Sequence, residues 1–278
     1  MSDYFLAITL FSVIIKNMLE KSLKNVTFFD AHFHLLDFKE VPQNWCGCTC
    51  AHSIEEWETQ SEFFKDKNNA VLSFGLHPQS AGYINIKNMA DYLEALLKTN
   101  QNIGAIGEAG FDYFTPEFQS HKKEQEEMFN IQLELALFYK KPLVVHCRKA
   151  NHKLFEYASS FKKLPSVLFH SFMGSVVEAN SLIQRNINAF FSFGKQMMNN
   201  NKKVISLVKE LPLQNLLLET DAPFQTLKGE QFTKLSQITL IYENACKLRT
   251  GTPLNQDFML YIENNFKNMF YECVTKKQ

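Results

Sequence analysis

The sequence has 278 residues, of which 45% are hydrophobic and 21% are charged, and its formal net charge is +0. This composition excludes an intrinsically disordered chain, and six cysteines are too few for a disulfide scaffold of this length. A net charge of zero also argues against holding nucleic acid by bulk electrostatics, so any phosphate-bearing substrate has to be bound by a few local cations or by metal.

Residues 1–25 are expected to be an N-terminal extension of unknown role. The run Tyr4–Ile15 is apolar apart from two hydroxyl residues, and it is shorter than the about 20 residues that span a bilayer. It has the length of a signal-peptide core, but Asp3 stands where such peptides carry positive charge and no small-residue cleavage site follows. A helix packed on the body, an interfacial anchor and a later translation start at Met18 are the alternatives.

From residue 26 onwards, short apolar segments alternate with amphipathic ones. The short segments are rich in Val, Leu, Ile and Phe, which predicts strands buried on both faces. They are Val26–Asp30, Trp45–Cys50, Ala70–Phe74, Ile103–Glu108, Leu143–Cys147, Ser166–His170, Ala189–Phe193 and Asn215–Glu219. The helical patterns between them cover Ser53 to about Lys67, Met89–Leu97, Glu117–Lys140 and about 150–163, 175–186, 200–210, 233–249 and 255–274.

Eight strands alternating with helices predict the α/β class. Repeats of about 30 residues favour a closed (β/α)8 TIM barrel over a doubly wound sheet, with residues 26–278 as a single domain. Cys46, Cys48 and Cys50 would share one face of the second strand, because side chains alternate along a strand. They are predicted to be buried thiols, with redox sensing or metal binding as alternatives. Reduced thiols favour a cytoplasmic location.

Catalytic groups of such barrels lie at the C-terminal ends of several strands. Side chains suited to metal binding stand there on five predicted strands: His32, His34, Glu108, His146, His170 and Asp221. Burying so many titratable groups together without a counter-ion would be costly. Six ligands exceed the three or four that one zinc ion takes from a protein, so two divalent ions that share a bridging carboxylate account better for the set.

Six short motifs occur in a characteristic order. They are Asp30–His34 (DxHxH), Gly75–Pro78 (GLHP), Gly107–Asp112 (GExGxD), His146–Arg148 (HxR), His170–Phe172 (HxF) and Glu219–Pro223 (ETDxP), followed late in the chain by Asn265–Phe270. As an ordered set, the motifs resemble the TatD family of metal-dependent hydrolases, which are amidohydrolase-type barrels. The resemblance covers about residues 26–272.

The resemblance implies a divalent-metal phosphodiesterase acting on DNA, of the 3′→5′ exonuclease type. It implies that His32 and His34 hold one ion together with Asp221, that His146 and His170 hold the second, and that Glu108 bridges the two. The ions would be Zn, Mg or Mn. A D-aminoacyl-tRNA deacylase, or another ester or amide hydrolase on the same metal centre, is the alternative. Single-stranded DNA or DNA 3′ ends are the expected substrate, and neither a stable protein partner nor a transmembrane span is implied.

Within that reaction, Asp221 is predicted to accept the proton of the attacking water, and Glu108 to act beside it. Arg148 and His77 are predicted phosphate contacts, since a guanidinium matches phosphate oxygens in a bidentate fork. Tyr113 is a predicted base-stacking residue. A salt bridge, a turn and core packing are the respective alternatives for these three substrate contacts.

Overall fold

The structure is a computed structural model that describes residues 27–270 except 37, 100 and 101. The expected extension 1–25, with its apolar run Tyr4–Ile15, and the last residues of the helix predicted over 255–274 lie outside the described residues. Within the described part, no helix is both long and apolar enough to cross a membrane.

Eight parallel strands follow one another in chain order within a single sheet. They are β1 (Phe28–Phe33), β2 (Trp45–Ala51), β3 (Ala70–Phe74), β4 (Ile103–Asp112), β5 (Leu143–Arg148), β6 (Val167–Phe169), β7 (Ala189–Phe193) and β8 (Leu216–Leu218). The sheet nearly closes on itself, because the backbone N–H groups of His34 and Asp221 donate to the carbonyls of Ala222 and His32, at 2.8 and 3.0 Å. The predicted (β/α)8 barrel is confirmed.

Helices connect successive strands and surround the barrel. They are α1 (Ile54–Phe64), α2 (Ile86–Lys98), α3 (Pro116–Ser120), α4 (Lys122–Phe138), α5 (Asn151–Glu156), α6 (Ala158–Phe161), α7 (Val176–Gln184), α8 (Lys202–Glu210), α9 (Ile238–Thr250) and α10 (Gln256–Met269). The single helix predicted over Glu117–Lys140 is two helices that meet at His121. One cause is the Gln125 side chain, which donates to the Phe118 carbonyl at 2.8 Å and takes the place of a helical bond.

The last two helices are attached to the barrel by buried polar side chains. The Tyr242 hydroxyl of α9 accepts from the Phe29 N–H at 2.9 Å and donates to the Phe29 carbonyl at 3.0 Å. The Asn265 amide of α10 donates to the carbonyls of Leu213 and Leu216, at 2.7 and 2.8 Å. Both helices therefore hold the first and last strands at the seam where the barrel closes.

Strand β4 is longer than predicted, and Glu108 lies inside it. All ten of its residues are buried, and its pairing with β5 shifts register between Ile106 and Ala109. Gly107 and Gly110 have φ values of 139° and 147°, a conformation that a side chain would strain. A Cβ atom at Gly110 would also lie 1.9 Å from a backbone oxygen of β5. The glycines let β4 approach β5 closely, and the prediction that Glu108 ends its strand is wrong.

Candidate metal centre

The first pair of candidate ligands comes from the C-terminal end of β1 and the residue that follows it. His32 and His34 stand two residues apart, so both imidazoles project from one face of the extended chain. Their Nε2 atoms lie 3.2 Å apart. Behind this pair, the Sγ atom of Cys50 lies 3.3 Å from Nδ1 of His32. With Nδ1 facing the thiol, Nε2 of His32 points toward the barrel mouth. One of the three thiols predicted on the second strand therefore lies against a candidate ligand.

Glu108 presents its two carboxylate oxygens to different pairs of histidines. Its Oε2 lies 3.2 Å from Nε2 of His32 and 3.4 Å from Nε2 of His34. Its Oε1 lies 3.0 Å from Nδ1 of His146, which lies within β5, and 2.5 Å from Nε2 of His170, which follows β6. His146 and His170 are also close to each other, with 3.1 Å between the same two nitrogens. This is the arrangement that a bridging carboxylate requires.

Asp221 joins the β1 pair from the other side of the seam. Its Oδ1 lies 3.5 Å from Nε2 of His32 and 3.6 Å from Nε2 of His34. Its backbone has a φ of 49°, in the left-handed region where a residue with a side chain is strained. The Gln225 amide donates to Oδ2 at 2.8 Å, which leaves Oδ1 turned toward the histidines.

The spacing of these atoms fits a divalent ion. Bonds of about 2.0–2.2 Å to nitrogen and oxygen put neighbouring ligand atoms of a tetrahedral site about 3.3–3.6 Å apart. The separations around His32, His34, Glu108 and Asp221 run from 3.2 to 3.6 Å. A donor set of imidazole nitrogens with carboxylate oxygens suits zinc and similar transition-metal ions better than magnesium or calcium.

Carboxylates lie near the outer ring nitrogens of the histidines on the β5 and β6 side. Oδ2 of Asp112 lies 3.2 Å from Nε2 of His146, so this ring keeps its proton there and turns Nδ1 toward Glu108. Nδ1 of His170 lies 3.8 Å from Oε2 of Glu219. His146 is thus positioned as metal-binding imidazoles are elsewhere, whereas Nδ1 of His170 has no hydrogen-bond partner among the described residues.

The buried charges depend on one another. Burial raises the pKa of Glu108, but the neighbouring imidazoles of His170, His32 and His77 bring it well below its ordinary value. Burial lowers the pKa of His170, but the charge and hydrogen bond of Glu108 raise it to about 10. Burial together with repulsion from His170 lowers the pKa of His32 to about 4. An ionised carboxylate therefore lies among imidazoles of mixed protonation, and a metal ion that binds there would displace the proton of His170 and take over its charge.

Two adjoining cavities open at this end of the barrel. One has a volume of about 340 Å³ and the other about 360 Å³. Both are lined by His146, Arg148, His170 and Asp221. The first adds His34, Leu36, His52, Glu56, His77, Gln79, Glu108 and Phe224, and the second adds Cys147, Ser171, Met173, Gln196 and Gln225. Polar groups thus occupy the floor, while Leu36, Met173 and Phe224 are partly exposed at the mouth.

Two of the three predicted substrate contacts line these cavities. His77 lies in the first, and Arg148 lies in both with its guanidinium carbon 3.5 Å from the ring centroid of Phe114. Tyr113 does not line either cavity, because only 5% of it is exposed and its ring packs beside Phe111. Phe114, which is 43% exposed, is the aromatic residue of this loop that reaches the surface.

Sequence reasoning missed two residues of the site. His52 directly follows β2, and its Nε2 lies 3.3 Å from Oε2 of Glu108. The strand-end rule applied to the other histidines would have found it, but the pattern predicts that β2 ends at Cys50 and that Ser53 begins a helix, which leaves His52 in a connecting loop. Gln225, which orients Asp221, carries no recognisable signal because it comes from a loop without periodicity.

A parallel barrel with imidazoles and carboxylates gathered at the C-terminal ends of its strands is the architecture of a metal-dependent hydrolase. Residues 29–271 match the model of the TatD related DNase family. The chain belongs to this family.

Two relatives illustrate the range of similar proteins. The chain is 34% identical over 220 residues to an uncharacterized metal-dependent hydrolase of Mycoplasma genitalium, which covers 72% of this chain and 82% of the relative. It is 32% identical over 173 residues to the 3′-5′ ssDNA/RNA exonuclease TatD of Cronobacter sakazakii, which covers 62% of this chain and 64% of that protein.

The fold is similar to that of a crystallised TatD homologue from Escherichia coli K12. The two structures superimpose with a TM-score of 0.78 over 88% of this chain and 98% of the other, at 24% sequence identity. At this identity the likeness concerns the fold, and it supports the barrel architecture independently of the site residues.

Proposed function

We propose that this protein is a divalent-metal-dependent phosphodiesterase that degrades nucleic acid, with single-stranded DNA or DNA 3′ ends as substrate and a 3′→5′ exonuclease mode. The observation that carries the proposal is Glu108, whose two oxygens face two separate groups of nitrogen donors. His32, His34 and Asp221 would hold one ion and His146 and His170 the other, with Glu108 shared between them.

Two divalent ions at these positions would neutralise charge on a phosphodiester and bring the pKa of a bound water toward neutrality. Asp221 is the residue to take the proton of that water. Burial raises its pKa, but the hydrogen bond from His34 and the charges of His32 and His170 lower it, so the carboxyl group is ionised at neutral pH. An ionised carboxylate within the cavity is the form that a proton acceptor needs.

The cavity walls support a phosphate-bearing, base-bearing substrate. Arg148 lines both cavities, and its guanidinium lies over the ring of Phe114, a contact that restrains the side chain while its N–H groups can donate to a phosphate. Phe224 is 53% exposed and lines the first cavity beside His34, with 5.1 Å between the ring centroids. An exposed ring next to the reacting phosphate suits stacking on a nucleobase without reading its sequence.

The test uses purified full-length protein, stripped with chelator and reloaded with Mg²⁺, Mn²⁺ or Zn²⁺. With at least one ion, a 5′-labelled single-stranded DNA should shorten progressively from its 3′ end. The His146→Ala, His170→Ala double variant should leave it intact, whereas His121→Ala, a histidine outside the site, should behave as the wild type. Intact DNA under every ion, together with cleavage of D-aminoacyl-tRNA, would replace the proposal with the deacylase alternative.

A further inference from the structure

His52 is held with one ring nitrogen outward and the other toward the candidate metal centre. Its Nδ1 lies 3.4 Å from the carbonyl oxygen of Gly75, which can only accept a hydrogen bond. In the neutral ring the proton is therefore on Nδ1, and Nε2 carries a lone pair. This is the orientation that metal-binding histidines have, with a carbonyl fixing the tautomer from behind.

The lone pair of His52 faces other acceptors. Nε2 lies 3.3 Å from Oε2 of Glu108, and it belongs to a group of possible ligand atoms with His34 and Glu108. The contact with Glu108 lacks hydrogen-bond geometry, and among the described residues this buried nitrogen has no hydrogen-bond partner. Two lone pairs at this distance repel each other, and a buried acceptor without a donor is costly. A cation between the two atoms removes both costs.

His77 provides the contrast, although it lies in the same cavity with its ring centroid 4.9 Å from that of His52. Its Nδ1 accepts a hydrogen bond from the backbone N–H of Gln79 at 3.2 Å. The ring therefore carries its proton on Nε2, which points into the site 3.6 Å from Oε1 of Glu108. His77 also lies within ligand distance of Glu108 and His146, but in this tautomer its Nε2 is a donor without a free lone pair, so it cannot bind a cation.

We propose that His52 is a ligand of a divalent cation on the His34 side of Glu108, whereas His77 binds no cation and donates a hydrogen bond to a substrate oxygen. This inference rests on the proposed metal-dependent function. With His52, the donors on that side are five: His32, His34, His52, Glu108 and Asp221. The other side has three, from Glu108, His146 and His170. The ion on the first side is then the more tightly held, and the second side keeps positions open for water and substrate.

The experiment measures cobalt binding rather than turnover. Full-length protein is stripped and titrated with Co²⁺, and the visible absorption of each bound ion is recorded, since four-coordinate Co²⁺ absorbs much more strongly than five-coordinate Co²⁺. Loss of even an outer partner of a metal ligand weakens binding about 10–100-fold. For His52→Ala we expect at least that loss at the tighter position, together with a changed absorption spectrum. For the matched variant His77→Ala we expect the wild-type spectrum and affinity.

His52→Asp is the rescue variant, because it returns a ligand atom at the same position. It should recover most of the cobalt affinity with a spectrum of its own, and a thermal melt of each metal-free variant reports whether it folds. Wild-type affinity and spectrum in His52→Ala, or equal losses in His77→Ala, would overturn the inference. Failure of the proposed function looks different: the wild type itself would bind no Co²⁺, or would bind it without hydrolysing nucleic acid.

Discussion

The imidazoles on the two sides of Glu108 are supported by different groups. On the β1 side, the partner of His32 is the thiol of Cys50, whose pKa burial raises well above its ordinary value, so that it stays protonated and is a weak acceptor. On the β5 and β6 side, the partner of His146 is the carboxylate of Asp112. Burial raises the pKa of Asp112, but the hydrogen bonds from His146 and Gln79 bring it to about 2.

A carboxylate behind an imidazole makes the ring more basic, whereas a neutral thiol does not. Burial lowers the pKa of His146, yet the hydrogen bonds to Asp112 and Glu108 raise it overall. The pKa of His32, in contrast, is lowered to about 4. The two rings therefore differ in what an incoming cation has to displace: a proton at His146, and little at His32.

The Glu108→Gln variant tests the carboxylate that the two sides share, and it should have the largest effect on activity and metal content. The variant keeps the shape of the side chain but removes the charge that faces both pairs of histidines. We expect phosphodiesterase activity to fall about 1000-fold or more, and metal content per chain to fall on both sides. Activity assays and elemental analysis of the reloaded protein check this. Full metal content in the variant would show that Glu108 does not bridge.

Asp112→Asn and Cys50→Ser form a pair that tests the difference between the sides. An amide still accepts from Nε2 of His146 but carries no charge, so we expect metal affinity on that side to fall about 10–100-fold. Cys50→Ser replaces one neutral group by another, and affinity should change less than a few-fold. Competition with a metal-sensitive dye measures both variants. Equal losses in the two variants would remove the distinction drawn between carboxylate and thiol support.

Arg148→Lys tests the substrate side of the comparison, since Arg148 lines both cavities. Lysine keeps the charge but loses the fork geometry and the stacking on Phe114. We expect KM for a DNA substrate to rise about tenfold, which corresponds to about 1.4 kcal/mol, while metal content stays as in the wild type. A loss of metal together with the rise in KM would assign Arg148 to the metal centre instead.

The smallest expected effect is on the stability of the fold, and it concerns the loop that carries Asp221. Lys195 is fully buried, and its ammonium donates to Glu230 at 2.5 Å, Gln237 at 2.8 Å and Thr233 at 3.0 Å. The hydrogen bond from Lys195, with further donors, lowers the pKa of Glu230 from 4.5 to about 2. Because the folded-state value is the lower one, this contact stabilises the fold above about pH 4.5 and is lost as the pH falls toward 2.

The melting temperatures of wild type and Glu230→Gln should therefore differ by a constant amount from pH 7 to about pH 5 and converge below that. Thermal melts at a series of pH values measure the difference. A gap that persists unchanged at pH 2 would mean that the ion pair with Lys195 is not its source, and that the loop is held near Asp221 by other contacts.

Part of the fold can be predicted from the sequence, because the burial of a strand on both faces determines the residue types along that strand. Strands covered on both faces have to be apolar along their length, so the pattern predicts segments such as Ala70–Phe74 and Ala189–Phe193 with the bounds that the structure has. The rule that functional groups follow the strands then collects the six predicted ligands at one end of the barrel, where the structure brings them together.

The tertiary structure decided what depends on contacts between distant segments. Glu108 lies inside β4 because two glycines with positive φ let that strand continue against β5. The pairing of the two strands shifts register there, and the hydrophobic pattern of the sequence does not predict that shift. Tyr113 lies in the core although its loop borders the site. The tautomers of His52 and His77 are set by a carbonyl and an N–H from neighbouring backbone. Side chains of one type thus receive opposite roles from partners that only the folded chain supplies.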